Sequence, residues 1–233
     1  MLRLRTFGGL SLTRGEENLT GAATQRRRLA ILVLLAVSGD AGMGRDKILA
    51  YLWPDADAPR ARHVLNQLLY AQRRQVGADA LFLGQKTLRL NRALISSDVG
   101  DFEAAVGSGE AAAAVELYGG AFLDGFFLKD APEFERWVES QRQRLAGRCL
   151  TCLRRLAAAC GEGAEAVGWW RRAAELDPFD TTIALELVRA LAGAGDRPGA
   201  LRHARDHAAA LHAELGVAPD RRLLDLVDTL RRA

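Results

Sequence analysis

Cysteine is scarce in this sequence: three in 233 residues, Cys149, Cys152 and Cys160, odd in number and crowded into one helical stretch. That usage excludes the disulfide framework of a small secreted protein and points to a reducing compartment. Cys149 and Cys152 form a single C-x2-C. No second pair and no nearby histidine completes a tetrahedral zinc site, so the three thiols read as helix-packing residues. Histidine is almost as rare, at four. His203 and His207 stand i, i+4 on one helix but lack a third ligand, and His212 falls elsewhere on the wheel, so no metal is expected.

Long apolar runs are missing too. The strongest, over 29–37, follows Arg26-Arg27-Arg28 and falls far short of the ~20 residues that span a bilayer. Met1-Leu2-Arg3-Leu4-Arg5 alternates, with no apolar segment before Gly8, which is unlike a secretory leader. A cytoplasmic chain without a membrane partner is the expectation. Catalytic signatures are equally thin. Gly8-Gly9 is not followed by the rest of a dinucleotide fingerprint, Lys47 lacks the glycine-rich lead-in of a phosphate loop, and no G-x-S-x-G occurs. Neither an enzyme nor a cofactor is expected.

What remains is the composition of an ordinary globular protein, 49% hydrophobic and 26% charged, with a formal net charge of +3. That average hides a division. Cut at Asp98, where a strand-like 93–97 gives way to helical periodicity, residues 1–97 hold fifteen basic against seven acidic side chains, a balance of +8. Residues 98–233 hold seventeen against twenty-two, a balance of −5. Such asymmetry points to nucleic acid on one side and a different task on the other.

In the basic part, Leu2, Leu4 and Thr6 face one way and Arg3 and Arg5 the other, the period of a half-buried strand. Gly8-Gly9 turns it into a hairpin partner over 10–13, which Arg14-Gly15 ends. Thr24 is the expected N-cap of a helix running to Ser38, apolar nearly all round and therefore central and buried. A second helix from Arg45 carries Ile48, Leu49, Leu52 and Trp53 on one face and ends at Pro54. The acidic loop 54–59 leads into a long helix over 60–76, closed by Gly77.

Leu65, Leu68, Leu69 and Val76 make one stripe of that long helix. Arg60, His63, Gln67, Tyr70 and Arg74 project to the opposite side, flanked by Arg62, Asn66 and Arg73. This side has no acidic residue, and its arginines, amides and tyrosine are the groups that reach base edges and phosphates in a major groove. A hairpin then follows over 81–90, with a basic tip at Lys86. Helix, helix, long basic helix and basic hairpin make a winged helix-turn-helix, whose third helix enters the major groove. Arg26 and Arg27, with Arg28, either reach phosphates at a helix start or anchor the first helix against acidic neighbours.

The acidic part is helical almost throughout: a short helix from Asp98 broken at 107–109, another over 110–118, an apolar connector over 122–128, and a long helix from Pro132. Ala166, Trp170, Ala173 and Pro178 then reproduce the small-large-small-Pro spacing of a tetratricopeptide unit's second helix. Thirty-four residues after Ala166 stands Ala200, with Ala204 and His207 at the positions matching Trp170 and Ala173. Stacked helix pairs of this kind share a core and offer a binding surface. The fold class is therefore mainly α: an amino-terminal winged helix-turn-helix (α+β) over 1–97, then an all-α tetratricopeptide-like domain over 98–233.

The order of motifs along the whole chain resembles the SARP-like bacterial transcriptional activators, which join a winged helix to a bacterial transcriptional activator domain. The segments that carry it are Arg27-Arg28-Leu29-Ala30, Arg45-Asp46-Lys47-Ile48-Leu49 with Leu52-Trp53-Pro54, Ala61-Arg62-His63-Val64-Leu65, Arg73-Arg74 and Leu88-Arg89-Leu90. In the second part they are Asp98 with Phe102-Glu103, Phe122-Leu123-Asp124-Gly125-Phe126, Ala131-Pro132-Glu133-Phe134-Glu135-Arg136-Trp137 and Glu214-Leu215-Gly216-Val217-Ala218-Pro219-Asp220.

The resemblance implies a regulator that binds double-stranded DNA and activates transcription, acts as a homodimer on direct repeats near a promoter, and meets RNA polymerase through loop 54–59. Two departures stand out. Gln72 replaces the family's usual core-side leucine, and Ala71 stands where arginine is frequent. A lost phosphate-reaching arginine lowers affinity and makes its salt dependence shallower, and a buried Gln72 needs hydrogen-bond partners. These two residues also support the other reading, an interaction scaffold that has lost DNA binding and holds a protein partner on its helical repeats.

Overall fold

Leu2, Leu4 and Thr6 all turn inward, as their spacing predicts, in the computed structural model of the chain, which describes residues 1–161 and 163–232. They belong to or follow β1 (Leu2–Arg5), which pairs antiparallel with β2 (Ser11–Arg14). Gly15, at φ 58°, turns the chain into β3 (Glu17–Asn18), a third strand that the sequence did not suggest.

The first helix, α1 (Arg26–Ser38), buries eight consecutive residues from Leu29 to Ala36, so it is the central helix that its all-round apolar sequence predicts. Its start differs from expectation. Gln25 occupies the N-cap position without a side-chain cap, and the Thr24 hydroxyl donates to the Gly21 carbonyl at 3.1 Å instead. Thr24 closes a one-turn 3-10 segment, Gly21–Thr24, that uses its hydroxyl before α1 begins.

β4 (Met43–Gly44) leads into α2 (Arg45–Leu52), which buries Ile48, Leu49 and Leu52. Next, α3 (Ala58–Gln75) begins two residues earlier than the periodicity indicated, because Pro59 sits in its first turn, where the missing N–H costs nothing. β5 (Phe82–Leu83) and β6 (Thr87–Leu90) form the predicted hairpin, and β4 completes a three-stranded sheet in the order β4-β6-β5. Gly84 shapes the hairpin turn at φ +86°, where an added Cβ would lie 2.0 Å from the Thr87 carbonyl oxygen. No other residue fits that turn.

β7 (Ile95–Ser97) returns to the first sheet and runs parallel to β1, giving the order β3-β2-β1-β7. α4 (Asp98–Ser108) continues through Gly107, where a break was expected, and ends at Gly109 in the left-handed region. α5 (Ala111–Leu117) follows, then α6 (Pro132–Ala159), which starts at the predicted proline. Phe134, Leu145 and Leu153 are buried along α6, and Leu150 is half-buried.

The chain forms two compact units, Met1–Leu145 and Ala146–Ala233. The second contains α7 (Ala164–Leu176), α8 (Thr181–Gly193), α9 (Arg197–Leu215) and α10 (Arg221–Arg232). Its core joins Val167, Leu185, Val188, Leu191, Ala200, Ala204 and Leu223. The repeat register explains this packing. Ala166 and Ala173 of α7 are fully buried, as is Ala200 of α9, so these helices approach their neighbours closely. Asp180 and Asp196 cap α8 and α9 by accepting backbone N–H bonds. No described helix is long and apolar enough to cross a membrane.

Candidate nucleic-acid interface

Helix α3 is built from two incompatible faces. Ala61, Leu65, Leu69 and Gln72 are buried, while Arg60, Arg62, His63, Asn66, Gln67, Tyr70 and Arg74 reach toward solvent. The helix has no acidic residue along its length. Tyr70 is 64% exposed, a large aromatic ring left in water with its hydroxyl able to reach outward. Arg74 lies in the last turn, where a cation also complements the helix dipole.

Arg73 is the exception among the arginines of α3. It is half-buried, its guanidinium lies 5.7 Å from the Phe82 ring centroid, and it donates to the Phe82 carbonyl at 3.3 Å. It fastens α3 to β5 at the base of the wing. Arg14 reaches the same end of α3 by donating to the Val76 carbonyl. Ala71 is half-buried and Gln72 is 1% exposed, so neither departure from the family pattern lies on the exposed face.

Between the start of α2, the middle of α3 and the wing runs a groove of about 750 Å³ lined by Arg45, Lys47, Arg62, Asn66, Lys86 and Thr87, with Asp46 among them. Four of these side chains are cationic. Arg62 pairs with Asp46 at 3.1 Å, but both ends of the pair stay mostly in solvent, where such a bridge contributes little and yields readily to a stronger anion. Lys86 projects from the wing turn, exposed, as its place at the hairpin tip predicts.

In the sequence Arg45 reads only as a helix start. Its backbone N–H donates to the Lys86 carbonyl at 3.1 Å, its Nε donates to the Gln85 carbonyl, and its Nη1 donates to Asn66 Oδ1 at 2.8 Å. One side chain thus links wing and α3. The spacing of residues 45, 66 and 85 carries no local signal of this.

Arg26 and Arg27 stand in the first turn of α1. Arg26 lies 5.5 Å from the Phe126 ring centroid and donates to the Phe127 carbonyl, and Arg27 lies 5.6 Å from the Trp53 ring centroid. Aromatic faces attract guanidinium groups, and here they hold the first turn of α1.

The second unit holds the three cysteines and three of the four histidines. Cys149 and Cys152 are buried. Burial, reinforced by Cys152, pushes the Cys149 thiol up to about 12, so it stays protonated and unreactive at neutral pH. The His203 and His207 rings stack at a centroid distance of 6.5 Å. His207 is 5% exposed, and its Nδ1 lies 3.0 Å from the Pro178 carbonyl, so the imidazole at the repeat's small-residue position is tied to the proline that ends the preceding unit.

Burial holds His203 below its ordinary value of 6.5, helped by His207 and Arg171 and opposed by Asp206. Protons therefore bind the unfolded chain first as pH falls. Stability of this unit is full above the unfolded value and declines as pH drops from there through the folded one. Urea melts at pH 7.5 and 5.5 are expected to show a loss on acidification that shrinks in His203→Gln. An equal loss in both proteins would place the titration elsewhere.

The family model described as bacterial transcriptional activator domain matches residues 85–231. No curated protein matches this sequence. Among solved structures, Mycobacterium tuberculosis EmbR in complex with a low affinity phosphopeptide is similar in fold, with a TM-score of 0.69 at 19% identity over 99% of this chain. The chain spans 65% of the length of that protein.

Proposed function

The chain belongs to the bacterial transcriptional activator domain family, in its SARP-like form of a winged helix joined to a helical domain, and on that premise we propose that this transcriptional regulator binds promoter DNA and activates from it. Residues 1–97 read DNA and residues 98–233 make protein contacts. In this reading α3 enters the major groove and the wing follows the adjacent backbone. Arg60, Arg62, His63, Asn66, Gln67, Tyr70 and Arg74 face bases and phosphates, and Lys86 meets phosphate. Arg73 supports the wing from behind. The segment 54–59, a loop running into the first turn of α3 and exposed at every position, is the face offered to RNA polymerase, and two copies occupy direct repeats as a homodimer. The regulator works in the cytoplasm.

The observation that carries the reading is the acid-free exposed face of α3 beside a groove with four cations. Phosphate contacts supply sequence-independent affinity, and exposed amides and arginines supply base readout. The scaffold reading rests on Ala71 and Gln72, both off this face.

Titration of labelled promoter DNA at several salt concentrations tests the proposal. Affinity is expected to fall steeply as salt rises. Arg74→Ala is expected to lose about 1–3 kcal/mol: selectively at one base pair if Arg74 reads a base, uniformly if it touches phosphate. Salt-insensitive binding, or no binding to any DNA at low salt, would falsify it.

A further inference from the structure

Asn66 stands on the exposed face of α3 with its side-chain orientation dictated by a neighbour, and the neighbour is Arg45. The guanidinium has five donors and no acceptor, so the amide atom 2.8 Å from Arg45 Nη1 is necessarily the oxygen. The amide NH2 is therefore on the side away from Arg45. Arg45 is itself immobilised at two further points, through its backbone N–H to the Lys86 carbonyl and its Nε to the Gln85 carbonyl. Arg45 is half-buried, its two side-chain bonds lie at the surface, and Asn66 is exposed, so the amide that it orients is open to a ligand.

We infer that Arg45 is a specificity-determining residue: by clamping Asn66 Oδ1 it presents the Asn66 amide to DNA donor-outward, and by gripping the wing turn it makes base readout at that position depend on wing placement. The inference rests on the proposed DNA binding through α3.

A free asparagine is versatile. Its amide turns over at little cost, so it donates to purine N7, guanine O6 or thymine O4 in one orientation and accepts from the cytosine or adenine amino group in the other. The clamp removes the second choice. At the base pair opposite Asn66, edges that offer an acceptor are favoured, and the cytosine amino group meets a donor and is rejected. Arg45 makes this selection without touching the base.

Binding selection from a randomised operator, run on the full chain and its variants, reads this directly. Wild type is expected to disfavour cytosine at one position. Arg45→Ala is expected to level that preference by about tenfold, the discrimination of one good base contact, while the other positions keep theirs. Asn66→Ala is expected to lose the same position.

Asn66→Asp keeps the partnership with Arg45, now as an ion pair, and turns an acceptor outward. It is expected to swing the preference toward cytosine, whose amino group an aspartate accepts. This variant keeps the wing fastened, so it tests the idea even if Arg45→Ala loosens the fold.

Uniform weakening of every sequence by Arg45→Ala, with a shallower salt slope and an unchanged base profile, would mean that Arg45 only touches phosphate. That result overturns the inference and leaves DNA binding intact. Wild-type protein that selects no sequence and ignores DNA at low salt overturns both.

Discussion

Asp98→Ala is expected to destabilise the first unit by roughly 3–5 kcal/mol, a large share of the 5–15 kcal/mol that holds a domain together. Asp98 is 7% exposed, and its carboxylate accepts from four donors. They are the Thr6 N–H at 2.8 and 2.9 Å, the Thr6 hydroxyl at 2.6 Å, the Phe7 N–H at 2.9 Å and its own helix's Val99 N–H at 2.8 Å. Because β7 runs parallel to β1, the first residue of α4 lies beside the chain that leaves β1, and one carboxylate satisfies the ends of both elements. Its charge also faces the positive end of the α4 dipole.

Alanine leaves those donors buried without an acceptor, and each such loss costs about 1–3 kcal/mol, though not additively. Asp98→Asn is expected to fare little better, since the new amide NH2 would face N–H donors. Thr6→Val removes only the hydroxyl bond and is expected to cost about 1 kcal/mol. Urea unfolding of the three variants checks the order. An Asp98→Ala midpoint close to wild type would show that water replaces the carboxylate at no cost, contrary to its burial.

The role of Asp98 also marks what the sequence could and could not reveal. It is visible as the place where a strand-like stretch gives way to helical periodicity, because periodicity is local. Its bonds were invisible, because Thr6 and Phe7 lie 92 and 91 positions away. The same distinction separates the other successes from the misses. The burial of α1, the two faces of α3, the start of α6 at Pro132 and the small-residue positions of α7 and α9 all follow from periodicity or spacing within one element. β3 and β4 are two residues each and exist only through their partners. Thr24 reads as a cap, but the 3-10 turn before it competes for the same hydroxyl. The candidate interface divides in the same way. Residues of α3 that face outward are legible from the helical period, whereas Arg45 joins the site, and Arg73 turns to the wing, through contacts with another segment.

Combining Arg60→Glu with Arg74→Glu is expected to abolish specific DNA binding, weakening it by about 10³-fold or more, with the fold unchanged. The two positions are fourteen residues apart, nearly four full turns, so they lie on one side of α3 and about 21 Å apart. They bracket the whole proposed reading surface. Removing each arginine costs about 1–3 kcal/mol if it contacts DNA, and placing carboxylates there adds repulsion from phosphates at both ends. The salt slope is expected to fall by about 2 or more, since each lost phosphate contact is worth about 0.9. Stability should hardly move. Both side chains are exposed, where substitutions usually stay within about 0.5 kcal/mol. A carboxylate at position 60, near the start of α3, gains from the helix dipole roughly what a carboxylate at position 74, near its end, loses. Fluorescence titration at low and moderate salt, paired with urea melts, separates the two effects. A variant that melts like wild type and still binds its promoter with near wild-type affinity would mean that DNA is read by some surface other than α3. A variant that melts like wild type and loses the promoter ties the reading surface to the side of α3 that carries no acidic residue.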